Sequence, residues 1–569
     1  MKNRILYIAS FLALVLLGAC DTLLEPIDEN LLSSDYIDND PAFAEGLLLT
    51  AYQNVVSPYD FLDVATDDAV SNQLSNGYNK MATGELSAAN NAASRWDRFS
   101  NVFYLNKFLA VVDDVTWNNE PVVNELYVKR LKGEALALRG LFHFYVFQAH
   151  AGKDANGQLL GIPFYSEFIP SDGNFNLPRE TFEETLRLIN QDFDEAISLL
   201  PMDYSDDESD KPAAYDDYSF DDYQLAFGSQ NNLRITARIV KAFKARMLLW
   251  AASPAFLDDN YEAAANLSAE LINDKGGITY FDNDGLAFYD DDNDKNADEI
   301  LWRASISYKS SWLEANHFPP SLNGSGQLNP SLNLVNAFPM LDGYPRGESP
   351  TYSYDATQPF ANRDPRLAQY ILYNGGVIGS KTISTGSGNG IDGINNTQGK
   401  STRTGFYLKK LLRPDVQINN DGSTVDKDQI QCFFRYTELY LILAESANEI
   451  GGPDHQVGGM SARTILAAIR TRAGIEQPDV YLSNVSSKES MRQLIRNERR
   501  LELCFEGQRF WDLRRWDVSL SEPINGSLFD NSYTEIEVEA RQYPEYARYM
   551  PIPHSEIQKY PELKQNLNW

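Results

Sequence analysis

Two glutamates four residues apart, Glu498 and Glu502, stand on what reads as one helical face of NERRLELCFEGQRFWDLRRW, residues 497–516. Paired carboxylates are the equipment of glycoside hydrolysis, where two acids roughly 5–10 Å apart share the work of general acid and nucleophile or base. The stretch adds two further acidic groups, five arginines, and Phe505, Phe510, Trp511 and Trp516. A general acid, however, needs a raised pKa, and a neighbouring guanidinium lowers it. Arg496, Arg499, Arg500 and Glu506 interleave with the two glutamates at three- and four-residue spacings, so both acids are expected to stay ionised. Leu494, Leu501, Cys504 and Phe505 mark a buried face, and Gly507 offers a place for the helix to end. Phe510, Trp511, Leu513 and Trp516 then supply the next packed turn. The charges are expected to join helices through arginine–carboxylate forks. The stretch reads as scaffold.

Other chemistries lack their signatures. Five widely scattered histidines give no HExxH and no Cys/His cluster with zinc spacing. There is no GxSxG nucleophile elbow and no GxxxxGK[ST] phosphate loop. Asp290, Asp292 and Asp294 alternate in YDDDNDKNADE (289–299), but Lys295 stands at the turn where an EF-hand needs glycine and Leu301 stands where it needs glutamate. No cofactor is expected, and for calcium only a looser site than an EF-hand stays open. Cys432 and Cys504 sit in apolar surroundings and read as buried thiols; whether they pair is open.

The N-terminus MKNRILYIASFLALVLLGAC carries a basic head, Lys2 and Arg4, and an apolar run from Ile5 to Leu17 that is short for a membrane span. Leu17-Gly18-Ala19-Cys20 resembles the lipobox of bacterial lipoproteins, which implies cleavage before Cys20 and lipidation of its thiol. More than one acyl chain there would make a firm anchor. The formal charge of −31 becomes −33 once residues 1–19, with their two cations, are removed. That balance disfavours nucleic acid and anionic lipid surfaces as partners. Acidic runs at 203–210 and 215–223 read as solvated loops.

The elements that must position any site are mostly helices. Apolar residues recur at three and four over 98–115, 126–152, 181–200, 233–254, 261–273, 434–451, 461–474 and 487–507. Small residues mark helix contacts: Ala242, Ala245 and Ala251 before Ala263, Ala264 and Ala269, then Ala444 and Ala447 before Ala462, Ala467 and Ala468. This predicts a mainly α fold, a TPR-like scaffold of helical pairs without a strict 34-residue period, with an ordinary bundle as the cheaper alternative. Residues 275–430, rich in Gly, Asn, Ser, Pro and aromatics, predict a large, irregular, loop-rich subdomain, the usual place for recognition. The expected divisions are signal peptide 1–19, lipidated tether 20–40, N-terminal helical scaffold 41–274, irregular ligand-binding subdomain 275–430, and a C-terminal helical part 431–569 completing the scaffold.

Several segments together resemble the SusD/RagB family of Bacteroidetes lipoproteins: the lipobox, GEALALRGLFHFYVFQAHAG…GIPF (133–164), RDPRL (363–367), RYTELYLILAESANE (435–449), NERRLELCFEGQRFWDLRRW (497–516) and PIPHSEIQKYPELKQNLNW (551–569). The resemblance covers nearly the whole chain in the family's order. It implies a non-catalytic outer-membrane lipoprotein, anchored through Cys20 and facing the cell exterior. Such a protein captures oligosaccharide for a partner SusC-like TonB-dependent transporter. Asp21 and Glu25 resemble the family's surface-export signal.

Sugars present flat C–H faces rimmed by hydroxyls, so their sites need an exposed aromatic platform and fork-like polar partners. The family implies that platforms come from the irregular subdomain and from the loop before the first long scaffold helix. Trp312, in SYKSSWLEANHF, is the first candidate; it could equally pack the subdomain core. Tyr78 is the second, with Asp67, Asp68 and Asn72 as polar partners; solvated loop is the alternative for each. Trp302, in an alternating run, and Trp96 and Trp250, on helical faces, read as buried. Peptide import on the same fold, a glycoside hydrolase, and a surface scaffold or adhesin are the competing functions.

Overall fold

The computed structural model describes residues 40–289, 296–305, 309–388, 390–397 and 399–569. The signal peptide, Cys20, all of the tether but Asp40, and Asp290, Asp292 and Asp294 lie outside the described residues. No helix among the described residues is long and apolar enough to cross a membrane.

The N-terminal half is built from α1 (Pro41–Gln53), α2 (Phe99–Leu109), α3 (Pro121–His150), α4 (Phe182–Leu199), α5 (Phe220–Phe227), α6 (Ala237–Ala252) and α7 (Tyr261–Asp274). After α8 (Trp312–His317) in the irregular part come α9 (Tyr436–Gly451), α10 (Ala462–Arg472), α11 (Lys488–Glu502) and α12 (Arg509–Arg515). Local chemistry sets the ends. Asp40 caps α1 by accepting from the Ala42 and Phe43 amides, and Thr181 caps α4 through the Glu184 amide. Ser461 and Ser487 open α10 and α11 with reciprocal capping boxes. The long helix α3 begins earlier than its periodicity suggests, because Pro121 suits a first turn.

Scaffold helices pack in pairs and share one core. α3 lies on α4 across Gly133 and Gly140: a Cβ at Gly140 would come 2.8 Å from Phe193 Cε1, and one at Gly133 would come 2.9 Å from Leu200 Cγ. In the second group α6, α7, α9 and α10 pack through buried Ala242, Ala245, Ala251, Ala264, Ala269, Ala444, Ala447 and Ala462. Ala263, Ala467 and Ala468 are half-buried at its margin. Phe142, Phe147, Phe182, Phe243 and Trp250 fill the space between the layers. Each large side chain buried there contributes about 1.5–3 kcal/mol. The fold is mainly α, with a TPR-like arrangement of helical pairs.

The irregular part has its own core around Phe318, Leu328, Phe338 and Tyr407 and, among the described residues, only small two-stranded sheets. β1 (Ala69–Ser71) pairs antiparallel with β3 (Leu328–Pro330), and β2 (Ile300–Arg303) with β4 (Cys432–Arg435). Residues 431–569 are not helical throughout. β5 (Ile524–Phe529) and β6 (Tyr533–Glu539) form a hairpin whose Ser527 amide donates to the Thr404 carbonyl, 2.7 Å, so it leans on the irregular part.

Residues 497–516 join these halves. Glu498 meets Arg366 at 2.6 Å, and Glu502 meets Arg366 at 2.9 Å, Arg472 at 2.7 Å and Arg435 at 3.1 Å. Burial would raise Glu502, but Arg472, Arg435 and Arg366 overcome it and hold the carboxyl well below its usual range. Arg499 reaches Asp512, and Arg515 reaches Asp512 and Glu445. Apart from Arg515–Asp512, which lies within α12, these pairs join different elements. The helix also stops earlier than Gly507: α11 ends at Glu502, where Lys410 Nζ donates to the carbonyls of Glu502 and Cys504, 2.8 Å each. Phe505 then turns left-handed, φ 64°, before Gly507. Cys432 and Cys504 are separate buried thiols, and burial pushes Cys504 up to about 12.

Candidate functional site

A cleft of about 660 Å³ separates the start of the helical scaffold from the irregular part. One wall is the segment after α1, Asn54 to Asp60, and the turn Trp96–Arg98 that leads into α2. The opposite wall carries Trp312, the first residue of α8, and Gln431. Trp312 is 60 % exposed. Its amide donates to Ser310 Oγ and its carbonyl accepts from Asn316, so the backbone is held while the indole has no hydrogen-bond partner among the described residues. Tyr78, half-buried in the short helix Gly77–Lys80, lies on the same cleft. The structure therefore brings Trp312 and Tyr78 to one place from positions more than two hundred residues apart.

The floor is polar and organised. Tyr78 donates its hydroxyl to Asp60 Oδ1 at 2.5 Å, while Arg95 Nη2 donates to Asp60 Oδ2 at 2.7 Å. Burial and the Asp60 charge push the Tyr78 hydroxyl well above its ordinary range, so it stays a donor. Arg95 is fixed from behind. His150 places its Nδ1–H on the Pro551 carbonyl, 2.8 Å, which leaves Nε2 to accept the Arg95 amide at 3.2 Å. Burial pushes that imidazole down to about 3, so it stays neutral. Arg98 donates to the Asn54 carbonyl at 3.2 Å. A charged fork, a phenol and an exposed indole around one cleft suit a neutral polyhydroxylated ligand. Both oxygens of Asp60 are occupied, one by the Tyr78 hydroxyl and one by the Arg95 guanidinium. Among the described residues no three His, Cys, Asp or Glu side chains converge as metal ligands.

Asp67, Asp68 and Asn72 belong elsewhere, and this corrects the expectation for them. Asp67 pairs with Arg509 at 2.8 Å and Arg500 at 3.0 Å, and Asp68 pairs with Arg500 at 2.5 Å. Burial alone would raise Asp67, but Arg500 and Arg509 hold it well below the carboxylate range. Asn72 is buried and donates to the carbonyls of Ser325, Gly326 and Ser401, stitching the loop to the irregular part. All three are internal fasteners. Asp60, Arg95 and Arg98, by contrast, were not singled out from the sequence. The signal for them was SRWDR (94–98), two arginines and an acid around an aromatic just before a helix. Trp302 and Trp250 are buried as expected, whereas Trp96 is half-buried on the edge of the core.

Comparison with known proteins follows the same outline. The description "SusD family" matches residues 287–569, and "Starch-binding associating with outer membrane" matches residues 30–219. SusD-like protein P38 of Formosa agariphila is 30 % identical over 136 residues, 24 % of this chain and 25 % of that protein. SusD-like protein P2 of the same organism is 33 % identical over 112 residues, 19 % of this chain and 21 % of that protein. The matched region thus spans about a quarter of the length of these relatives. A SusD-like protein from Bacteroides fragilis superposes with a TM-score of 0.74 at 24 % identity, covering 94 % of this chain and 99 % of its own. A SusD-like carbohydrate binding protein from the same species gives 0.68 at 20 %, covering 93 % and 100 %. Surface glycan-binding protein A from Bacteroides fluxus gives 0.61 at 18 %, covering 93 % and 100 %.

Proposed function

We infer, for a chain that belongs to the SusD family, that it is a non-catalytic glycan receptor of the outer membrane. It captures oligosaccharides at the cell surface, held by a lipid on Cys20, and hands them to a SusC-like TonB-dependent transporter. The observation that carries this reading is Trp312, an indole left 60 % exposed above the Tyr78–Asp60–Arg95 floor. Indole stacks on the C–H face of a pyranose, while the carboxylate and guanidinium take hydroxyls from the ring edge. The family description of starch binding and outer-membrane association supports the ligand class and the location. Hydrolysis has less support, since Glu498 and Glu502 are buried in arginine pairs away from the cleft.

Affinity electrophoresis through gels containing a panel of neutral polysaccharides tests it. At least one glycan should retard the protein, and Trp312→Ala should weaken that binding about thirtyfold, the loss of about 2 kcal/mol usual for a central tryptophan. Its melting temperature should not move, because the indole is exposed. Retardation by no glycan, or release of reducing sugar by the purified protein, would overturn the reading.

A further inference from the structure

A side pocket of about 110 Å³ opens off the cleft and shares Asp60, Tyr78 and Trp312 with it. One part of its lining is carbon: Phe61, Val64 and Leu328. The other part is amide and imidazole: Asn76, Asn316, Gln327 and His317.

The polar atoms here are left in a complementary state. Asn76 uses Oδ1 to accept the Tyr78 and Asn79 amides, 2.9 and 3.2 Å, which leaves its Nδ2 a donor with no acceptor among the described residues. Gln327 uses Nε2 on Asn316 Oδ1, 2.9 Å, which leaves Oε1 an acceptor with no donor among them. His317 is 4 % exposed, and its Nδ1 has no hydrogen-bond partner among the described residues. Native proteins seldom tolerate an orphaned buried polar atom without a reason. Phe61 supplies a second sign of cost: its backbone is left-handed, φ 49° and ψ 43°, and its ring meets the His317 imidazole edge-on at 4.7 Å. A bulky residue in that conformation is held by its surroundings, and such strain gathers at ligand sites.

We propose that this pocket receives the acetamido group of an N-acetylated sugar whose ring lies against Trp312. The Asn76 amide donates to the acetamido carbonyl, Gln327 Oε1 accepts its N–H, and the methyl lies on Phe61, Val64 and Leu328. The proposal rests on the glycan-binding reading of the cleft and narrows it to a class. A hydroxymethyl group would satisfy the donor and acceptor but make no contact with the carbon lining. A carboxylate would be repelled by Asp60, which lines the same pocket. A group with a donor, an acceptor and a methyl meets Asn76, Gln327 and the carbon lining together. Burial pushes His317 down to about 3, so the neutral ring adds no charge that would call for an anion.

Saturation-transfer NMR tests this with N-acetylglucosamine, N-acetylgalactosamine and N-acetylmannosamine beside glucose, galactose and mannose. At least one N-acetyl sugar should bind about tenfold more tightly than its parent, with the acetyl methyl taking the strongest saturation. Asn76→Asp keeps the helix cap, because aspartate caps as well as asparagine, and removes the donor. It should close the tenfold gap at an unchanged melting temperature. N-acetyl and parent sugars binding alike, or a gap that survives Asn76→Asp, would sink the pocket. If parent sugars still bind and lose that binding in Trp312→Ala, the cleft stands and only the pocket falls. Silence from every sugar sinks both.

Discussion

Asp63 lies in the turn Leu62–Ala65, three residues after the cleft carboxylate Asp60, and is fully buried. Its Oδ1 accepts the Phe505 amide at 3.1 Å, and its Oδ2 has no partner among the described residues. Burial raises its pKa first and the charge on Asp68 raises it further; the Phe505 amide and Lys410 pull the other way. The balance lifts the carboxyl from 3.8 to about 7. The folded state therefore disfavours the ionised form. Stability from this group is complete below the unfolded value of 3.8 and is lost as pH rises through about 7. Some three pKa units at 1.36 kcal/mol each amount to about 4 kcal/mol, fully expressed by about pH 8. The substitution Asp63→Asn mimics the protonated acid: the amide oxygen can still take the Phe505 N–H, and no charge is buried. Urea unfolding of wild type and Asp63→Asn, followed by tryptophan fluorescence at unit steps from pH 4 to 8, reads the difference directly. The two proteins should be equally stable near pH 4, and the variant should gain steadily, reaching about 4 kcal/mol by pH 8. A difference that does not change with pH, or a variant less stable at pH 8, would refute the account of this buried acid.

Asp68→Ala leaves Arg500 with only Asp67 to share with Arg509, so it should destabilise the fold by about 3–5 kcal/mol. Glycan affinity of the folded fraction should stay unchanged; loss of binding at full stability would return Asp68 to the ligand site. Trp511→Ala removes a side chain that is 8 % exposed and packs edge-on against Phe510 at 4.9 Å. It should cost about 3–5 kcal/mol in chemical denaturation while affinity gels show wild-type retardation once the protein is folded.

Local periodicity made the scaffold readable. The runs behind α4, α6 and α11 carry their own caps and apolar faces, and α3 opens on Pro121, so neighbouring residues decide them. Trp312 stood out for the opposite reason: serine, lysine, glutamate and asparagine around an indole give it no apolar pattern to join. Asp67 and Asp68 misled because their partners, Arg500 and Arg509, lie more than 430 residues away. Nothing near an aspartate in a loop tells whether an arginine from the far end of the chain will arrive. A shorter separation, 35 residues, was enough to hide the Asp60–Arg95 fork, whose members belong to two different turns. The hairpin β5–β6 was missed, although YTEIEVE sets Ile536 and Val538 between glutamates at a two-residue period.

Pairing of β2 with β4 has an architectural consequence. Tyr436 donates its amide to the Glu299 carbonyl at 2.8 Å, so the chain leaves the scaffold and re-enters it at one doorway. The excursion of some 130 residues between them is a closed loop, and the entropy of closing such a loop grows only slowly with its length. Descendants could therefore lengthen, trim or exchange that excursion, and with it the wall that carries Trp312, without re-engineering the helices. Such exchange must keep the contacts that reach the frame: β3 on β1, Thr404 on the Ser527 amide, and Arg366 and Lys410 on Glu498, Glu502 and Glu506. Variation of the irregular part and constancy of the frame would then follow from one short antiparallel ribbon.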